Sequence, residues 1–188
     1  LLLATGCTEP IAVAYCAAKL REVLGGEPEE VLAEVSGNIL KNVKSVVVPN
    51  TDGRRGIDAA IAVGIVAGDA DAELQVIANV TEDDAAAIQG YLDATPIKVT
   101  CPVTPCLLDI FLQGRRAGHT AAVRVANNHT NIIYMERDGE VLLEKPLTAN
   151  AEDNLQDKSV LNVKDIITFA ETVPLDRIEP VIGRQIAC

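Results

Sequence analysis

Within the apolar run Ile57–Gly68, Ala60, Gly64 and Gly68 recur at four-residue spacing, while Ile57, Ile61 and Ile65 occupy another face. A helix with that pattern carries a stripe almost without side chains, which permits close backbone approach by a neighbour. Without such a neighbour, its interior glycines would each cost about 1 kcal/mol with no return. A second helix is expected over Ile11–Leu24, with Pro10 near the first turn, Gly25 as a stop and a core stripe of Val13, Ala17, Leu20 and Leu24. The residue inventory points the same way, since 25 Ala accompany two Phe, three Tyr and no Trp. Such a core is built from closely packed Ala, Val, Ile and Leu, and favours Ala-rich helices lying near a sheet.

The sheet is read from alternation. Val31 to Ser36 alternates as a strand, Gly37–Asn42 interrupts it, and Val46–Val48 closes on the polar turn Pro49–Gly53. Leu74, Val76, Ala78 and Val80 alternate as a further strand. Thr81 then caps a helix reaching about Leu92, with Glu82, Asp83 and Asp84 in its first turn. Strands follow at Lys98–Thr100, Leu107–Leu112, Thr120–Ala126 and Asn131–Arg137, and the turn Asp138-Gly139 leads into Glu140–Glu144. Residues 146 to 160 are polar and acidic, and a helix is expected over Val163–Thr172. The pattern predicts an α+β fold: a mixed or antiparallel sheet covered by Ala-rich helices over residues 1–150, then the start of a helical second domain over 151–188. Both ends read as cut, because the chain opens without Met and stops at Cys188 soon after an apolar helical run begins.

Charge removes several classes of function. Sixteen Lys and Arg stand against 27 Asp and Glu, a net charge of −11, and no basic run exceeds the pairs Arg54-Arg55 and Arg115-Arg116. Nucleic acid is excluded as a partner on that balance. Apolar residues make up 48% of the chain and mean hydropathy is +0.20, which excludes a disordered acidic tail. No apolar run is long enough for a membrane span and no charged leader precedes one, so no membrane association and a cytoplasmic location are expected. Five cysteines, an odd number, suit reduced thiols better than a disulfide framework.

Three segments place small polar residues at the ends of regular elements: Gly6–Pro10, Ser36–Asn42 with Pro49–Thr51, and Asn127–Asn131. Cys7 precedes a helix N-terminus, where free N–H groups and the helix dipole favour a thiolate that ligates metal or attacks; the alternative is a buried, inert Cys. Cys16, among alanines in mid-helix, reads as core. Cys101 and Cys106 flank Pro102 and Pro105 at a spacing looser than zinc pairs use, and read as structural. His129 suits a general base or a carboxylate holder, or else a turn histidine bonded to backbone. Gly53–Gly56 lacks the spacing and ending of a phosphate loop, and no Ser nucleophile elbow occurs.

Gly6–Ala12, the run Val35–Thr51 and His129–Ile132 resemble the bacterial and archaeal L-cysteine desulfidase family, related to the alpha part of iron-sulfur L-serine dehydratases. The resemblance implies that the chain is the N-terminal half of a carbon-sulfur lyase that converts L-cysteine to sulfide, ammonia and pyruvate by β-elimination. It further implies a 4Fe-4S cluster held by three cysteines, without pyridoxal phosphate, with Cys7 as one metal ligand and the other two in a missing C-terminal half. Ser36, Asn38, Asn50, Thr51, Thr130 and Asn131 are then expected to hold a small amino-acid substrate, with Lys41 or His129 as the base. On this reading the fragment alone lacks activity and the cluster, and an apolar face left uncovered makes it form a homodimer or bind small hydrophobic molecules. The alternatives are an L-serine dehydratase-like deaminase and a non-catalytic amino-acid-binding or dimerisation domain.

Overall fold

The structure, a computed structural model, describes residues 4–148 and 161–187. Leu2–Asn150 and Ala151–Cys188 form separate compact units. In the first, α1 (Thr8–Leu24) is followed by β1 (Glu30–Val35), α2 (Gly37–Val43) and α3 (Gly56–Ala67). Two short 3-10 turns, Ala70–Gln75 and Glu82–Asp84, lead to α4 (Ala85–Ala94). The remaining strands are β2 (Ile97–Thr100), β3 (Asp109–Arg116), β4 (His119–Ala126), β5 (Ile132–Arg137) and β6 (Glu140–Glu144).

The fold is α+β. All six strands form one mixed sheet in the order β2-β1-β3-β4-β5-β6. Only β1 and β2 run parallel; the other neighbours are antiparallel. α1 lies on the sheet against β3, β4 and β5, and α3 packs on the far side of α1. Sandwiched in this way, α1 is buried from Pro10 to Ala18 and at Leu20 and Leu24, not along one stripe alone. That position explains the alanines, since a helix between two layers has no solvent face for large side chains.

The small-residue stripe sits at the α1–α3 crossing. A Cβ at Gly64 would stand 2.2 Å from the carbonyl oxygen of Ala14, and one at Gly68 would stand 3.1 Å from Cβ of Ala18. Cys16 is fully buried in the same layer, its thiol 3.6 Å from the Val123 carbonyl.

One expected strand is absent. Residues 74–80 form 3-10 and turn structure, with a backbone break at Glu73 (φ 50°, ψ −116°). Ile77 is as buried as Val76, which breaks the two-residue period. The carbonyls of this segment are used one by one: Leu74 accepts from Thr5 N–H at 3.0 Å, Val76 from Asp69 N–H at 2.8 Å and Ile77 from Asn50 Nδ2 at 2.9 Å. The interruption after β1 is a seven-residue helix, α2, whose N-cap Ser36 accepts from the Ile39 N–H.

In the second unit, α5 (Val163–Thr172) is capped by Asn162, whose Oδ1 accepts from the Asp165 N–H at 3.0 Å. α6 (Leu175–Ala187) contains Pro180. Both helices carry exposed apolar residues, including Ile166, Ile167 and Phe169 on α5 and Ile182 and Ile186 on α6. Cys188 and residues 149–160 lie outside the described residues.

Candidate functional site

The C-terminal ends of β1, β2 and β4 and the N-terminal ends of β3 and β5 fall on one edge of the sheet, as the strand registers require. α1 and α2 both begin at that edge, because Ser36 ends β1 and caps α2 while its N–H bonds the Asp109 carbonyl at 2.9 Å. The turn Asn127–Asn131 joins β4 to β5 there. Strand ends and helix starts thus bring the three polar segments to one place.

Glu9 is their hub. Its carboxylate accepts from Cys7 Sγ at 3.3 Å, Thr8 Oγ1 at 3.2 Å and, across from α2, Asn42 Nδ2 at 3.3 Å. Asn42 also bonds Asn38 Oδ1 at 3.4 Å, one helical turn earlier. Partial burial pushes the Glu9 carboxyl up, but hydrogen bonds from Cys7, its own N–H and Thr8, together with the charge of His129, hold it below its ordinary value. It is therefore ionised at neutral pH, as the start of a helix favours.

His129, half-buried in the β4–β5 turn, responds oppositely. Burial holds its imidazole below the ordinary value, although the Glu9 charge works against this, so the ring is neutral at pH 7. Cys7 is exposed at the N-cap of α1. Its thiol is pushed up by partial burial and by the hydrogen bond and negative charge of Glu9. The helix N-terminus alone would favour the thiolate; partial burial and the carboxylate two residues away outweigh it.

The other expected residues divide into supports and bystanders. Ser36 Oγ donates to the Leu107 carbonyl at 2.6 Å, which fixes the β1–α2 junction. Thr51, fully buried, closes its own turn by donating from Oγ1 to the Val48 carbonyl at 2.7 Å, and Asn50 ties that turn to the 74–80 segment through the Ile77 carbonyl. That turn backs the site: Gly6, at φ 97°, has no room for a Cβ, which would stand 2.8 Å from Cγ of Pro49. Asn131 Nδ2 closes the β4–β5 turn on the Ala126 carbonyl at 2.9 Å, and Thr130 is half-buried between it and His129. Lys41 is exposed on α2 and takes no part in the bonds joining Glu9, Asn38 and Asn42. Glu9 and Asn42 were not singled out from sequence, although the spacing of Asn38 and Asn42, four residues apart before Val43, already placed two amides on one helix face.

A four-iron cluster needs several thiolates. Cys7 and Cys101 are exposed, whereas Cys16 and Cys106 are buried, with their thiols on backbone carbonyls. Among the described residues no group of three His, Cys, Asp or Glu is placed to hold a metal ion. The described residues bring one candidate thiolate, Cys7, to this edge, where such a cluster needs three.

No family model matches the chain. It is 45% identical over 187 residues to a UPF0597 protein of Treponema denticola, a match covering 99% of this chain and 43% of that protein. A UPF0597 protein of Desulfitobacterium hafniense is 44% identical over 186 residues, with 99% and 43% covered, and one of Lachnoclostridium phytofermentans is 40% identical over 186 residues, with 99% and 44% covered. The chain spans less than half the length of these relatives. They correct the resemblance drawn from Gly6–Ala12, Val35–Thr51 and His129–Ile132: proteins that align with 99% of this chain carry the UPF0597 name, so the assignment to the N-terminal half of an L-cysteine desulfidase is not retained. Among the described residues no helix is long and apolar enough to cross a membrane.

Proposed function

We propose that the sheet edge around Glu9 binds a small L-amino acid and promotes β-elimination from it, with L-cysteine preferred over L-serine. The observation that carries this reading is the meeting of an ionised carboxylate, a neutral imidazole and two amides from three separate segments. Glu9 suits the substrate ammonium, and Asn38 and Asn42 suit its polar groups. His129, neutral and within electrostatic reach of Glu9, takes the α-proton; the Cβ–S bond breaks and hydrosulfide leaves with the bonding pair. The resulting aminoacrylate takes up water and yields pyruvate and ammonia.

The preference for sulfur follows from the leaving group. Hydroxide leaves as the base of water, with a pKa of about 15.7, and is the poorer leaving group. Hydrosulfide is far less basic. Four free thiols among the described residues suit a reducing, cytoplasmic setting.

The test measures pyruvate and sulfide from L-cysteine with the chain extended to the length of its relatives, prepared without oxygen. Replacing His129→Gln is expected to lower kcat by about 10²–10⁴-fold, the usual weight of a general base. Lys41→Met leaves turnover within a few-fold. Turnover in His129→Gln equal to that of the unaltered protein sinks the proposal.

A further inference from the structure

The helices of the first unit all lie on one side of the sheet, so the other side is uncovered by any described element of that unit. This second face carries Phe111 and Asp109 of β3, Arg124 of β4 and Tyr134 and Glu136 of β5, which the register sets side by side. Over it stands a cavity of about 590 Å³, within the range of small-molecule sites. One wall is a strap, Lys145–Thr148, pinned at both ends. Lys145 N–H bonds the Ile133 carbonyl at 2.8 Å, and the Thr148 carbonyl accepts from Cys106 Sγ at 3.3 Å and Asn127 Nδ2 at 3.2 Å.

The charges of this cavity are arranged unevenly. Asp109, nearly fully buried, grips Arg124 with two bonds, from Nε at 2.8 Å and Nη2 at 2.6 Å, and Thr104 Oγ1 donates to the same carboxylate. A paired guanidinium held this way is fixed in direction, and its Nη1 is left outside the pair. Glu136 is engaged with Tyr134 OH at 2.6 Å and the Gly139 N–H at 3.1 Å, and Glu144 lines the cavity as a second carboxylate. Lys145 stands on the rim as a second cation, and Phe111, Ile133, Pro146 and Leu147 supply an apolar wall.

We infer that this cavity is a second binding site, for a small carboxylic acid with an apolar or aromatic body. Its carboxylate meets Arg124 and Lys145 while the body lies on Phe111 and Leu147. The fixed guanidinium reduces the ordering cost of binding, and the apolar wall selects against bare inorganic anions. The site lies on the sheet face rather than at the edge around Glu9, and it stands whether or not the amino-acid reading of that edge holds.

The test uses 3-phenylpropanoate as probe and its neutral amide, 3-phenylpropanamide, as control, followed by amide chemical shifts of the labelled chain. The expected result is low-millimolar binding, as suits a ligand of this size. Shifts gather at Phe111, Arg124, Tyr134 and Lys145–Leu147, and the amide binds at least tenfold more weakly. Lys145→Met, an exposed change that spares the fold, weakens the carboxylate several-fold and leaves the amide unchanged, and added salt acts in the same direction. Equal affinity for acid and amide, shifts centred elsewhere, or no shift at about 10 mM probe overturns the inference.

Discussion

Gly64→Ala probes the architecture at its tightest point. The added Cβ would stand 2.2 Å from the Ala14 carbonyl oxygen, 2.8 Å from its carbon and 2.9 Å from its Cα. Ordinary contact begins near 3.4 Å, so α1 and α3 must part by about 1 Å, and no rotamer change relieves a clash between backbone atoms. α1 cannot retreat, because the sheet lies behind it. Overpacking of this kind costs about 3 kcal/mol, the upper end of its usual range, while replacing a helical Gly by Ala returns about 1 kcal/mol, leaving a net loss of about 2 kcal/mol. Gly90→Ala is the matched control, since it sits in α4 with nothing within 4 Å of the new Cβ, and it should gain about 1 kcal/mol. At roughly 3–4 °C per kcal/mol for a unit of this size, Tm falls by about 6–8 °C in the first variant and rises by about 3 °C in the second. Urea unfolding followed by circular dichroism supplies the free energies directly. Equal or greater stability in Gly64→Ala would refute the close crossing.

Cys7 should alkylate slowly for an exposed thiol, and Glu9→Gln should speed its reaction with iodoacetamide at pH 7.5 several-fold, read by mass spectrometry with Cys101 as internal reference. The Glu9 and His129 pKa values both lie below their unfolded values, so each group contributes stability above the unfolded pKa, about 4.3 and about 6.5, and loses it as pH falls through the folded one. Urea midpoints should therefore decline below about pH 6.5, and His129→Gln should flatten the upper part of that decline only. The exposed apolar residues of α5 and α6 should drive self-association visible in sedimentation, and Ile167→Glu with Phe169→Glu should return the chain to a monomer.

Elements with a local signature were legible: the Gly-stopped α1, the capped helix after Thr81, the Asp138-Gly139 hairpin and the alternating strands β3 to β5. The small-residue stripe predicted a close helix crossing without naming its partner, because only packing shows that Ala14 and Ala18 stand opposite. The alternation of Leu74, Val76, Ala78 and Val80 misled, since a short run with period two does not reveal that Ile77 between them is also buried. At the site, Cys7, Asn38 and His129 stood out as polar residues at element ends. Glu9 read as an ordinary first-turn acid, and its role as hub depends on Asn42, 33 residues away along the chain. Asn50, Thr51, Ser36 and Asn131 looked like substrate contacts by residue type, yet their side chains are used on backbone carbonyls.

Whether the three segments make one amino-acid site around Glu9 is decided by titrating the isotopically labelled chain with L-cysteine and L-serine and mapping the amide shifts. Saturable shifts are expected at Cys7, Glu9, Asn38, Asn42 and His129, with their loss in Glu9→Gln while the fold stays intact. Shifts confined to other residues, or the same binding in Glu9→Gln, would contradict it.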